Sequence, residues 1–299
     1  MKKVLIIGKN SYIARNLVHF VQEHGINDEN GEAIAIDAVS ASDGSWDCSY
    51  EGYDCIILFA GMVHKKVTNE NQSLFYEVNV ELAQKIAKKA KESGVTQFVF
   101  LSTIAVYGDK VSEIKADTIE EPSTLYGKTK LLAEQRIASM QDDTFGVVII
   151  RPPMVYGANC PGNFSKLVRL IRCIHWFPKV KNERSTIYVE NLCSLITQIV
   201  QRKCRGIFVP QDDQYLCTSS IAKAMNEEES MGHVILVPGF SRGIRWLSKH
   251  VSVFRKMFGT LKCDMELSKC YGIDYIVVPQ NKALKKSLAV YSQKKYDIN

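Results

Sequence analysis

Val4-Leu5-Ile6-Ile7-Gly8-Lys9-Asn10-Ser11-Tyr12-Ile13-Ala14 is the stretch from which the fold follows. Four apolar residues closed by a glycine predict a short strand buried on both faces. Ile13, Leu17, Phe20 and Val21 then recur at helical spacing, so a helix is expected over Tyr12 to His24. Strand, tight turn and helix in that order are the setting of a dinucleotide phosphate loop, because N–H groups at a helix start face an anion. A plain strand-to-helix turn has the same outline, and the loop alone leaves both readings open. Of the three glycines such a loop usually carries, only Gly8 is present. Ser11 and Ala14 take the other two places. Ala14 suits a position that governs helix–strand packing, whereas the Cβ of Ser11 limits close approach of a phosphate.

Working outward, strands are expected at Ala33–Val39, at Cys55–Phe59 (closed by Ala60-Gly61), at Gln97–Leu101 and at Val147–Ile150. Helices are expected from Gln72 to Ser93, with Gly94 as its cap, and from about Tyr126 to Met140. Strands alternating with helices predict an α/β fold, a doubly wound parallel sheet covered on both faces. After Arg151-Pro152-Pro153 the regularity loosens and Pro and Gly cluster up to Gly162. The chain is therefore divided into a dinucleotide-binding domain at 1–152 and a smaller, interleaved substrate lobe at 153–299.

Composition narrows the class. A chain of 299 residues with 46% hydrophobic and 23% charged residues is ordinary for a globular protein. The apolar part of Met1–Gly8 is too short for a signal peptide, and no apolar run approaches the length of a membrane span. Nine cysteines without a repeated spacing read as reduced thiols, which predicts a cytoplasmic protein. The six histidines show no zinc-type clustering, so no metal is expected. A net charge of +6 suits an anionic small molecule and is too diffuse to predict nucleic-acid binding.

Tyr126-Gly127-Lys128-Thr129-Lys130 carries the chemistry. A spacing of four stacks Tyr126 and Lys130 on one helix face. An ammonium beside a phenol favours the phenolate, so a lowered Tyr126 pKa is expected, giving a proton donor and acceptor near neutral pH. Thr103, at the end of the strand before, can hydrogen-bond the same substrate oxygen. A Tyr and a Lys four apart are also common on ordinary helix surfaces; the flanking motifs give this pair its weight.

Gly8-x-x-Ser11-x-x-Ala14, Ala60-Gly61, Asn79, Ser102-Thr103, Tyr126-x-x-x-Lys130 and Arg151-Pro152 stand in the order seen in the extended short-chain dehydrogenases. The chain resembles that group, the NAD-dependent epimerase/dehydratase family of nucleotide-sugar enzymes, and within it enzymes of surface polysaccharides that act at sugar C4. Arg184-Ser185-Thr186-Ile187-Tyr188-Val189-Glu190-Asn191-Leu192 is similar to the family's Arg-Asp-Tyr-Ile-His-Val-x-Asp-Leu segment. The match fades beyond Gly206. The resemblance implies a Rossmann-like fold, NAD or NADP as cofactor, a UDP-sugar substrate and a homodimer. It implies that Thr103, Tyr126 and Lys130 are catalytic. Gly8, Ser11, Tyr12, Ile13, Ala60, Gly61 and Lys130 would meet the cofactor, and Asn163 and Arg184 the substrate. The family's usual Ser is Thr at position 103, which keeps the hydroxyl. Asp37, Ser40 and Ser42 lie where the cofactor's 2′ group is read; no Arg accompanies them, so NAD and NADP both stay open.

The favoured expectation is hydride transfer at C4 of a UDP-hexose or UDP-4-keto-6-deoxy-hexosamine, run as a 4-ketosugar reductase because the part beyond Arg151 is short. A UDP-sugar 4-epimerase uses the same residues. A non-catalytic dinucleotide sensor is disfavoured because Tyr126 and Lys130 are both kept. Ile244, Leu247, Val251, Phe254, Phe258 and Leu261 follow one helical stripe flanked by Arg242, Arg245, Lys249, Arg255, Lys256 and Lys262. This stretch, 242–262, is either a membrane-surface helix or a helix packed on the substrate lobe, and the second reading is preferred.

Overall fold

The computed structural model describes residues 2–25, 27, 31–63, 67–227, 233–240, 243–244, 246, 250–269 and 272–293. Its centre is a six-stranded sheet in the order β2-β1-β3-β4-β6-β10, every pair parallel. These strands are β1 (Lys2–Ile7), β2 (Ile34–Val39), β3 (Cys55–Leu58), β4 (Gln97–Leu101), β6 (Gly146–Ile150) and β10 (Gly206–Phe208). Alternate residues feed two separate cores. Val4, Ile6, Ile57, Val99 and Val148 pack with α1 (Tyr12–His24) and α6 (Val189–Gln201) on one face. Leu5, Ile56, Phe98, Phe100 and Ile149 pack with α3 (Leu82–Glu92) and α4 (Leu125–Ala138) on the other. Helices on both faces explain why the strands read as unbroken apolar runs.

Two features depart from the sequence reading. The expected helix over 72–93 is α2 (Gln72–Tyr76) and α3 joined by a π turn at Glu77–Glu81. The wider turn sets Asn79 inward, where its Oδ1 accepts the Met62 N–H at 2.6 Å and its Nδ2 donates to Thr129 Oγ1 at 3.0 Å. The expected interleaving takes this form: α6 returns to pack beside α1, and β10 is the outer strand of the sheet, a strand that the sequence reading did not anticipate. Three residues after the polar run Arg202-Lys203-Cys204-Arg205 are too few to show a strand pattern.

The rest of the C-terminal part forms the smaller lobe. It holds β7 (Met154–Tyr156) beside β9 (Thr186–Tyr188), and β8 (Trp176–Pro178) beside β11 (Ile235–Val237). Its helices are α5 (Asn163–Cys173), α7 (Thr218–Asn226), α8 (Ser252–Phe258) and α9 (Gln280–Gln293). A two-stranded pair, β5 (Glu113–Ile114) with β12 (Lys262–Cys263), ties this lobe to the sheet domain. The stripe from 244 to 261 is not one helix. Val251 is extended, α8 stops at Gly259, and Leu261 bridges Arg184 in extended chain. Phe258 packs on Phe177 at 5.6 Å, so this part of the stripe faces the lobe and not solvent. Arg242, Arg245, Leu247 and Lys249 lie outside the described residues.

Gly127 sets how closely α4 approaches the short 3₁₀ turn Ile104–Tyr107. A Cβ at Gly127 would sit 2.6 Å from the Ala105 carbonyl oxygen and 3.0 Å from Pro122 Cβ. Gly127→Ala is therefore expected to destabilise the fold by ~1–3 kcal/mol, the usual cost of forcing a methyl into a packed contact. Urea unfolding reads this as a lower midpoint at unchanged slope; an unchanged midpoint would show that the contact has room.

Candidate active site

In a sheet of this order the chain leaves β1 toward opposite sides through β2 and β3, and the crevice at their carboxyl ends is the topological switch point. Gly8 ends β1 and Ala60-Gly61 follows β3, so both loops meet there. Gly8 has φ +107°, and a Cβ on it would lie 2.9 Å from the Ala60 nitrogen. Backbone shape and close approach both require glycine at this position. Gly61 leaves a cradle on the same crevice: its Cβ would stand 3.3 Å from both Asn79 Oδ1 and Lys130 Nζ.

The helix start fits a dinucleotide in part. Ser11 is the N-cap of α1, and its Oγ accepts the Ala14 N–H at 3.1 Å. The N–H groups of Tyr12 and Ile13, which have no acceptor within their own helix, remain available to a pyrophosphate. The Ser11 Oγ serves the cap as an acceptor only, which leaves its O–H as a donor. The Tyr12 phenol turns away into the protein, its oxygen buried near Gly157 and Val189 and without a partner among the described residues. Burial pushes its pKa up, so it serves packing and only the backbone of Tyr12 meets the crevice. At the end of β2, Asp37 is inside the strand and accepts the Tyr53 hydroxyl at 2.8 Å. Ser40, Ser42 and Asp43 follow, with Ser40 and Ser42 hydroxyls 3.1 Å apart. Hydrogen bonds from Ser45 hold Asp43 below the usual carboxylate range, with a smaller contribution from Lys9 nearby.

Thr103, Tyr126 and Lys130 converge because three backbone devices fix them. Thr103 caps the Ile104–Tyr107 turn, its Oγ1 accepting the Ala105 N–H at 3.1 Å. The Ile104 N–H is held by the Pro152 carbonyl at 3.1 Å. Thr124 caps α4 by accepting the Gly127 N–H at 3.1 Å, which aims the first turn of α4 at Thr103. The Thr103 hydroxyl reaches the Tyr126 phenol and favours its ionised form, yet burial outweighs it and the Tyr126 pKa is raised. This reverses the expected direction. Desolvation is the reason, and Lys130 does not offset it: its Nζ donates to the Leu101 carbonyl at 2.8 Å and sits 4.3 Å from the centre of the Phe100 ring. Lys130 is itself depressed to about 8, first by burial, with Glu134 one helical turn on working against the shift.

Glu134 is the group that the sequence reading missed. Its carboxylate accepts the Ser102 hydroxyl and forks with Arg151, at 2.6 Å from Nη2 and 3.1 Å from Nε. Arg151 Nη1 donates onward to the Tyr107 hydroxyl at 2.7 Å and to Glu120 at 2.8 Å. The signal was present, since Tyr126, Lys130 and Glu134 are spaced 4 and 4 on one helix face.

Asn163 and Arg184 line one cavity of about 380 Å³ in the smaller lobe, together with Lys166, Leu170, Lys256 and Met257. Arg184 Nη1 donates to the Gly259 carbonyl at 2.8 Å, and burial lowers its pKa. Its sequence neighbours take other partners: Glu183 pairs with Lys262, and Glu190 with Tyr188 and Lys286. No ion pair among the described residues holds Arg184, so its charge remains available to the cavity. Met154, two residues after Pro152, also lines this cavity and links it along the chain to the Thr103 turn. Among the described residues no cluster of His, Cys, Asp and Glu could hold a metal ion, and no helix is long and apolar enough to cross a membrane.

Comparison with known proteins agrees with this geometry. A profile of the NAD-dependent epimerase/dehydratase family matches residues 4–209. The UDP-glucose 4-epimerase of Vibrio cholerae is 25% identical over 246 residues, covering 75% of this chain and 75% of that protein. The N-acetyl-alpha-D-glucosaminyl-diphospho-ditrans,octacis-undecaprenol 4-epimerase of Escherichia coli O157:H7 is 28% identical over 165 residues, 54% of this chain and 49% of that protein. The chain thus matches only about half the length of this second relative. The structure of MoeE5 in complex with UDP-glucose and NAD superposes with a TM-score of 0.70 at 16% identity, covering 97% of this chain and 99% of that one. With its parallel sheet, its loops at the switch point and a profile match across two thirds of its length, this chain belongs to the NAD-dependent epimerase/dehydratase family.

Proposed function

We propose that this protein transfers hydride at C4 of a UDP-hexose or UDP-4-keto-6-deoxy-hexosamine and works as a 4-ketosugar reductase. The nicotinamide dinucleotide, held along Gly8–Ile13 and Ala60-Gly61, supplies the hydride that the keto carbon receives. Tyr126 donates its proton to the oxygen that becomes the new hydroxyl, and a raised pKa keeps the phenol protonated for that step. Thr103 hydrogen-bonds the same oxygen as charge builds on it. Lys130 brings a positive charge to the crevice floor beside Gly61, where a ribose hydroxyl would rest. Asn163 and Arg184 bind the diphosphate side of the substrate in their shared cavity. The reading includes a homodimer.

The observation that carries the reductive direction is Ser11. A reductase exchanges its cofactor at every turnover, whereas an epimerase regenerates it in place. A Cβ at the middle position of the loop keeps the phosphates at a distance; the Ser11 Oγ accepts the Ala14 N–H in the cap, which leaves its single O–H as the one donor the side chain offers there. A second reading, 4-epimerase, is favoured by the names of the two curated relatives. The protein is expected to purify without bound nicotinamide and to consume NADH or NADPH in proportion to a UDP-4-keto-sugar. A preparation that carries NAD and interconverts C4 epimers with nothing added makes the epimerase reading the correct one.

Tyr126→Phe removes the proton donor and leaves the crevice shape intact. It is expected to lower turnover ~100-fold or more, with the cofactor dissociation constant nearly unchanged. Rapid-mixing measurement of hydride transfer checks this, and wild-type rates in the variant would remove Tyr126 from the mechanism.

Lys130 also predicts a pH dependence in the cofactor-free protein. Its folded pKa is about 8 against an unfolded value of 10.5. Below pH 8 both states hold the proton and the folded state bears the full desolvation penalty. Between pH 8 and 10.5 the folded state has released the proton while the unfolded state keeps it, so stability rises with pH across that window. The rise attributable to Lys130 is on the order of 3 kcal/mol. It is read as the difference in unfolding free energy between wild type and Lys130→Met; a difference that stays constant from pH 8 to 10.5 argues against a depressed lysine.

A further inference from the structure

The smaller lobe carries an apolar face outside the catalytic crevice and the substrate cavity. In the β8–β11 pair Ile235 stands opposite Trp176, and paired residues share a face of the sheet. Phe177, on the other face, is buried against Phe258. Ile235 and Trp176 are instead 63% and 58% exposed. The Trp176 ring lies against Phe240 at 6.3 Å, and Phe240 is itself 54% exposed. Trp246, six residues on, is 62% exposed. Large aromatic side chains grouped in this way on a protein surface mark an interaction site.

Charge says what the site meets. Residues 151–182 and 231–263, the two segments that β8 and β11 join, contain twelve Lys and Arg and no Asp or Glu. All 32 acidic residues fall elsewhere, against the remaining 26 basic ones. Three of the twelve are engaged: Arg151 with Glu134, Lys262 with Glu183, and Arg255 near Asp109 at 3.8 Å. No ion pair among the described residues holds Lys166, Arg169, Arg172, Lys179, Lys181 or Lys256. The acidic run that precedes the second segment begins at Glu227, which pairs with Lys285 at 3.3 Å.

We propose that the smaller lobe docks on an anionic lipid bilayer through the face formed by Trp176, Ile235 and Phe240. Indole and phenyl rings settle at the level of the headgroups, and the surrounding cations meet lipid phosphates. A second copy of this chain on the same face would set like charges against each other across the contact, which favours lipid as the occupant. The proposal does not depend on which sugar reaction the crevice performs.

The test is sedimentation of the full chain with vesicles of phosphatidylcholine alone or of equal parts phosphatidylcholine and phosphatidylglycerol. Binding is expected to the anionic vesicles, weakly or not at all to the neutral ones, and to fall as salt is raised. Trp176→Ser combined with Phe240→Ser is expected to weaken binding about tenfold or more, and Lys179→Gln combined with Lys181→Gln by a smaller factor. Circular dichroism checks that the variants keep their fold. Should the aromatic variant fail to fold, brominated phosphatidylcholine mixed into the anionic vesicles should quench the tryptophan emission of the unaltered protein. No binding to anionic vesicles, equal binding by the aromatic variant, or no quenching overturns the proposal. So does self-association that the aromatic variant abolishes in a protein that ignores vesicles, which assigns the face to a second copy.

Discussion

A buried carboxylate, Glu134, governs the geometry of the edge where Thr103, Tyr126 and Lys130 converge. It lies in α4 with almost no exposure, between the guanidinium of Arg151 at the end of β6 and the hydroxyl of Ser102 at the end of β4. Leaving a buried charge without its partner typically costs about 3–5 kcal/mol, so these elements are locked in one arrangement. Through Arg151 the lock extends to Tyr107 and hence to the turn that Thr103 caps. Through the helix it extends to Lys130, whose ammonium is desolvated and has Glu134 as its compensating charge. Thr103, Tyr126 and Lys130 thus owe their placement to a buried ion pair, Glu134 with Arg151.

The backbone of the sheet domain was legible because its signals are local. Five strands and α1 lie within a residue or two of where apolar runs and helical spacing set them. Gly94, with φ +79°, follows α3 as expected. Two groupings among the candidate residues were legible. Tyr126 and Lys130 share a helix, and Asn163 and Arg184 proved to share a cavity although 21 positions separate them in the sequence.

What escaped the sequence depends on contacts between distant segments. Glu134 needed Arg151 and Ser102 to become informative. The direction of the Tyr126 shift needed its burial and the engagement of Lys130 with Leu101, neither of which a Tyr-x-x-x-Lys spacing encodes. The π turn at Asn79 escaped because apolar periodicity tolerates one inserted residue, while the bonds that reward it come from Met62 and Thr129. The stripe from 244 to 261 has the period of one helix, yet the chain is extended at Val251 and turns out of helix at Gly259. Periodicity gives the face a segment would present and says nothing of whether the backbone runs unbroken.

Ser11 shows how one substitution in a loop can move the balance between stability and cofactor retention. A glycine there would leave the start of α1 uncapped, with its N–H groups and the positive end of its dipole reserved for a phosphate. Such a helix start gains its partners when the cofactor binds. Ser11 instead supplies a permanent acceptor for the Ala14 N–H. Against glycine an N-cap of this kind is worth only about a few tenths of a kcal/mol, and that stabilisation is present with or without a ligand. The Cβ of Ser11 also adds bulk at the start of α1 that a glycine would lack. In the reading proposed above both effects favour the empty loop over the filled one, and neither involves Thr103, Tyr126 or Lys130. Two enzymes with the same Thr, Tyr and Lys can therefore differ in how long they keep their cofactor through the residue that begins the first helix.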